Sequence, residues 1–215
     1  MPRTDYKALI QPLRDGNLPA LRALLRSHPQ AARAPAVICE AARTGSLPAL
    51  QLLQRYGADL NASFRGYRPL HSLIQETPHG SHDRTNGDLD KRAKSLKWML
   101  ANGADPEQLG AWPAMRAIIA AAFVGEPCFV DELRNAGAKI DGFAASALAD
   151  LPRVSRELEK DPGFATARDP GGLTALHCCV GSGMARANRK ASQALLAIAN
   201  RLIESGADVD ATVRS

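Results

Sequence analysis

The stretch LQLLQRYGADLNA, Leu50 to Ala62, runs from closely spaced leucines into Gly-Ala-Asp, and this junction decides the fold because it recurs. KWMLANGADPE (Lys97 to Glu107) and NRLIESGADVDA (Asn200 to Ala211) repeat it, and DELRNAGAKID (Asp131 to Asp141) is a looser copy. Each leucine-rich segment reads as a helix, ended by a glycine free to take φ > 0. The Asp that follows favours a turn. Two further phrases come before it. GYRPLHSL (Gly66 to Leu73) and GGLTALHCC (Gly171 to Cys179) open one helix; DGNLPALRALL (Asp15 to Leu25) and TGSLPALQLL (Thr44 to Leu53) open a second. A chain that keeps returning to the same three phrases is built of stacked modules, because no such module buries its apolar face alone.

The composition agrees with helices. Of 215 residues 45% are hydrophobic and only 5% aromatic, and alanine and leucine give up little rotamer freedom in a helix. No apolar run approaches the roughly 20 residues that cross a bilayer, and the start, MPRTDYKALIQPLRDG, lacks the apolar core of a secretory signal. Four cysteines in a chain of this length are no disulfide framework, and reduced thiols in a cytoplasm are expected. The net charge of +5 is spread along the sequence without stacking aromatics, which argues against a nucleic-acid binder.

Together the three phrases resemble the ankyrin repeat, a module of about 33 residues patterned G-x-T-P-L-H-x-A-A, Gly turn, second helix, Gly-Ala-Asp. The resemblance implies an all-α ankyrin-repeat solenoid of about six helix-turn-helix units with short β-hairpin fingers, forming one domain over 1–215. The units fall near 7–35, 36–65, 66–111, 112–141, 142–168 and 169–215. The first and fifth end instead in LLRSHPQAA (Leu24 to Ala32) and ELEKDPGFA (Glu157 to Ala165), where a Pro after the helix points to a simple turn in place of a hairpin. Two units are stretched between their helices. Roughly 14 residues around TPHGSHDRTNGDLD (Thr77 to Asp90) read as a loop, and about 11 around GMARANRKASQ (Gly183 to Gln193) read as a helix extension.

The His177-Cys178-Cys179 run invites a metal or thiol reading. Under the resemblance, however, His177 stands at the structural His of T-P-L-H and ties the finger to backbone, and Cys179 fills a slot for a compact residue. Cys39, His71 and Ile119 occupy the slot of His177, an exchange that a ligand set would not survive without partners elsewhere. HGSHD (His79 to Asp83) has H-x-x-H spacing with no matching ligands nearby, and Gly181-Ser182-Gly183 fits no nucleophile or phosphate motif. Neither a metal nor a cofactor is expected, and no catalytic constellation is found.

Ankyrin arrays mostly bind proteins through finger tips and first helices. That implies a partner-binding set of Phe64, Arg65, Tyr67, Arg68, Gln75, Glu76, Trp112, Arg168 and Leu173, in which Tyr, Trp and Arg have the character of hot spots. Trp112 is either an anchor or a wedge between fingers. Trp98 either packs beneath the Thr77–Asp90 insertion or is exposed. Lys91, Arg92, Lys94, Arg186, Arg189 and Lys190 border the insertions and read as a basic rim that would guide an acidic protein partner to a monomer, without membrane. The expected role is a non-catalytic cytoplasmic inhibitor, immunity-type or scaffold protein, the Ala- and Arg-rich composition pointing to a bacterial source. The alternatives are a bacterial effector acting on host proteins or a basic-surface binder of nucleic acid or another polyanion.

Overall fold

In a computed structural model, which describes residues 6–75, 86–186 and 188–213, the chain divides into two compact units, Met1–Asp105 and Pro106–Ser215. The N-terminal unit holds α1 (Lys7–Arg14), α2 (Leu18–Ser27), α3 (Pro35–Arg43), α4 (Leu47–Arg55), α5 (Pro69–Gln75) and α6 (Asn86–Ala101). The C-terminal unit holds α7 (Ala117–Val124), α8 (Pro127–Asn135), α9 (Gly142–Ala147), α10 (Leu151–Lys160), α11 (Ala175–Val180) and α12 (Arg189–Glu204). Helices one and two of each successive pair pack on each other, from α1 on α2 to α11 on α12. Within the N-terminal unit the first helices stack in order, α3 against both α1 and α5. In the C-terminal unit α9 lies against both α7 and α11. The all-α architecture expected from the phrases is present.

Local chemistry explains the boundaries. Pro19, Pro35, Pro48, Pro127 and Pro152 sit in first helical turns, where a missing N–H costs nothing. Asn17, Asp141, Asp150, Thr174 and Asn188 accept backbone N–H groups at helix starts. The recurring Gly-Ala junction closes second helices as expected: Gly57, Gly103, Gly137 and Gly206 have φ between +84° and +95°. Behind them, first helices present small residues. In α7 every residue from Ala117 to Ala122 is buried, and in α9 Ala144, Ala145, Ser146 and Ala147 are fully buried, so neighbouring helices approach closely. Second helices bring the bulk: Leu21, Leu25, Leu50, Leu53, Leu96 and Met99 in one unit, Val154, Leu195, Ile198 and Leu202 in the other.

Three expectations are corrected in detail. Among the described residues the fingers are single bridges, Phe64 with Tyr67, Gly110 with Met115 and Arg168 with Thr174, and no strand forms. The Pro-marked ends of the first and fifth pairs are short 3-10 helices, Pro29–Arg33 and Pro162–Ala165. The Gly183–Gln193 insertion is not one continuous extension: a 3-10 turn, Gly183–Arg186, precedes a fresh start of α12 at Asn188, whose side chain accepts the N–H of Ala191 at 2.8 Å.

Candidate functional site: the finger turns

The finger of the N-terminal unit is closed by two hydrogen bonds. The Phe64 N–H donates to the Tyr67 carbonyl at 2.8 Å and the Tyr67 N–H to the Phe64 carbonyl at 3.0 Å. Between them Arg65 and Gly66 have φ of +52° and +82°, the left-handed pair of a type I′ turn whose twist matches a tight hairpin. An arginine in that conformation is costly, about 1–2 kcal/mol. Its guanidinium carbon lies 5.3 Å from the Phe64 ring centre, a cation–π contact that offsets part of the cost. Phe64 is half-buried, while Tyr67 is 37% exposed. Arg68 stands where the family pattern has Thr, and its Nη1 reaches back to the Asn61 carbonyl at 2.5 Å, so it braces the finger. Gln75 is half-buried at the end of α5; Glu76 and the HGSHD segment lie outside the described residues.

The finger of the C-terminal unit spans Gly110 to Met115 and carries Trp112, 73% exposed, on a loop whose Trp112–Pro113 peptide is cis. That exposure makes Trp112 an outward ring, not a wedge. The loop is backed by the next finger: a Cβ on Gly171 would stand 1.9 Å from the Ala114 carbonyl oxygen, so only glycine fits there. The base of the loop is fixed by Arg116, again in the Thr slot and only 6% exposed. Its Nη2 meets both Asp141 carboxylate oxygens at 2.7 Å, and its Nη1 reaches the Lys139 carbonyl at 3.1 Å. Glu107 closes the cluster by accepting the Lys139 N–H at 2.9 Å. The sequence reading missed this brace. The signal for it was the Arg at the same slot in two successive copies, Arg68 and Arg116.

Other expected site residues fall elsewhere. Leu173 is 1% exposed and belongs to the core, because its N–H is drawn in to Asp169 Oδ1 at 2.8 Å; it is no contact residue. Arg168 is exposed and donates to the carbonyls of Gly172 (2.7 Å) and Thr212 (2.9 Å). Arg92 is 5% exposed and cannot join a rim. Its guanidinium donates to the Leu73 and Arg43 carbonyls, each at 2.9 Å, and to Asp88 Oδ2 at 3.1 Å, tying α6 to the ends of α5 and α3. Of the remaining rim residues, Lys91, Lys94, Arg189 and Lys190 are exposed, and the exposed Arg186 caps the Val124 carbonyl at 2.9 Å. Trp98 is half-buried on α6.

The His-Cys-Cys run is scaffold. His177 Nδ1 accepts the Thr174 N–H at 3.2 Å while the His177 N–H donates to Thr174 Oγ1 at 3.1 Å, a reciprocal cap of α11. Cys178 and Cys179 are buried, and burial pushes both thiols up, Cys179 to about 11. Such thiols are poor nucleophiles at neutral pH. Among the described residues no three His, Cys, Asp or Glu side chains are grouped to hold an ion, and no helix is long and apolar enough to cross a membrane.

Residues 171–213, the last helix pair with the finger turn before it, match the ankyrin-repeat family model. A search of curated proteins found no match.

Proposed function

From the premise that this chain is an ankyrin-repeat protein, we propose that it is a non-catalytic module that grips another protein with its finger turns. The repeat is an interaction module as a family, and the reading counts the six helix pairs as six repeats of one domain. The observation that carries it is a pair of exposed rings on braced turns: Tyr67 above the bridge closed by Phe64, and Trp112 on the loop backed by Gly171. In a chain so poor in aromatics, placing Tyr and Trp outward on rigid turns gives a partner large contact area at little cost in ordering entropy. Arg65 beside Tyr67 adds positive charge, which suits a partner with an acidic surface. Within this reading the chain is a cytoplasmic inhibitor, immunity-type or scaffold protein that acts through its surface.

The test is capture from native lysate by the wild-type protein and by a Tyr67→Ala/Trp112→Ala variant, with mass spectrometry of what each retains. A protein retained by the first and lost by the second, at equal thermal midpoints, is the expected result. Equal retention by both would discard the finger turns as the binding site. A variant that unfolds would make the two rings structural.

A further inference from the structure

The N-terminal unit carries the whole of the chain's positive excess: 15 Lys and Arg against 9 Asp and Glu, where the C-terminal unit has 12 against 13. The excess is also directed. Helices α2, α4 and α6 are neighbours, α4 touching both others, and their leucines point inward. Outward they present Arg22, Arg26, Arg55, Lys91, Lys94 and Lys97, all exposed. A cation in the last turn is shared by the other second helices, as Arg26, Arg55, Arg134, Lys160 and Arg201 show, and needs only the helix dipole to explain it; α6 has none there and carries its lysines along its length. The acids are what differ. In the C-terminal unit the equivalent helices interleave Asp131 and Glu132, Glu157 and Glu159, and Glu204; α2 and α4 contain no acid at all. The acids of α6, Asp88 and Asp90, stand near its start, and Asp88 is drawn to Arg92.

We propose that this outer face of the N-terminal unit docks the phosphate backbone of duplex nucleic acid, independently of sequence, through side chains other than those of the finger turns. Among the described residues of that unit the one large apolar side chain left exposed is Tyr67, on the finger. The cationic face therefore offers charge without the apolar anchors that a protein interface uses for affinity or a bilayer surface for insertion. Charge alone suffices for a phosphate backbone, where released counterions supply the binding free energy. The positive residues look dispersed along the sequence because successive contributors lie on different helices. The packing of α2 on α4 and α4 on α6 gathers them.

The test is fluorescence anisotropy with a labelled 20-base-pair duplex of arbitrary sequence, from 50 to 200 mM KCl. The wild-type chain is expected to bind, with log affinity falling linearly in log salt. Arg22→Gln/Arg26→Gln/Lys94→Gln should weaken binding at least tenfold and flatten the salt slope by about three. Arg156→Gln/Lys160→Gln/Arg201→Gln, which removes the same charge from the C-terminal unit, should change it less than twofold. The Tyr67→Ala/Trp112→Ala variant should bind the duplex as the wild type does, so the two surfaces stand or fall separately. No binding at 50 mM, or equal weakening by the two triple variants, overturns the proposal. Tighter binding to poly-glutamate or to phosphatidylserine vesicles than to the duplex overturns it in favour of an acidic protein or a membrane.

Discussion

Ala149 sits with φ of +61° in the turn between α9 and α10, where Gly16 and Gly45 occupy the same slot in two other pairs. A Cβ in that conformation costs about 1–2 kcal/mol, against about 0.4–1 kcal/mol for the extra freedom glycine gains when unfolded. Ala149→Gly is therefore expected to stabilise the chain by about 0.5–1 kcal/mol, seen as a higher urea midpoint with an unchanged slope; a lower midpoint would contradict the strain. Gly171→Ala runs the other way. It drives a methyl into the Ala114 carbonyl, so it should lower stability by more than 1 kcal/mol and displace the Trp112 loop, which tryptophan fluorescence would report. At this scale the sequence was readable where conformation is dictated by residue type, as at the four helix-closing glycines. It was opaque where a side chain's role depends on what packs over it. Leu173 and Arg92 look like surface residues in a string and are core residues in space.

The first helices are thin by design of their residues, and their thiols and caps follow from that. Cys39, Cys178 and Cys179 are packed as small apolar groups; burial raises all three thiols, Cys39 and Cys179 to about 11. Native protein should therefore expose at most Cys128, half-buried on α8, to a thiol reagent, and all four only after denaturation. Two fast-reacting thiols in the native state would revive a redox role for the Cys178–Cys179 pair. Thr174→Ala removes the oxygen that accepts the His177 N–H and should cost about 1 kcal/mol, measured by the urea midpoint, without altering partner capture. The ankyrin-like phrases were most legible at the glycine turns: Gly57, Gly103, Gly137 and Gly206 lie where the motifs put them. The fingers stop at one bridge each because the chain enters the next first helix within two residues of Tyr67, Met115 and Thr174, which leaves no length for a ladder.

For the molecule as a whole, stability should form a plateau bounded by two sets of groups. Burial raises the Glu40 carboxyl, yet hydrogen bonds from Arg43 and Arg14 outweigh it and hold the group below its usual range. A depressed acid contributes stability above its unfolded pKa, about 4.3, and loses it as pH falls further. The raised thiols work oppositely. Their contribution is complete below about 8.5, the unfolded value, and disappears as pH climbs toward 11. Thermal midpoints from pH 3 to 11 should fall at both ends, and Glu40→Gln should flatten the acid limb alone. An unchanged acid limb would remove Glu40 from the account. The charge distribution shows the limit of reading a chain linearly, since a modest +5 hid an uneven division between the units. The alanine-lined first helices carry a further meaning for descent. Their interiors have no room for drift, whereas the outward sides of α2, α4 and α6 can change residue by residue without disturbing what lies beneath. Lineages sharing this scaffold would then diverge in what they attract long before they diverge in shape.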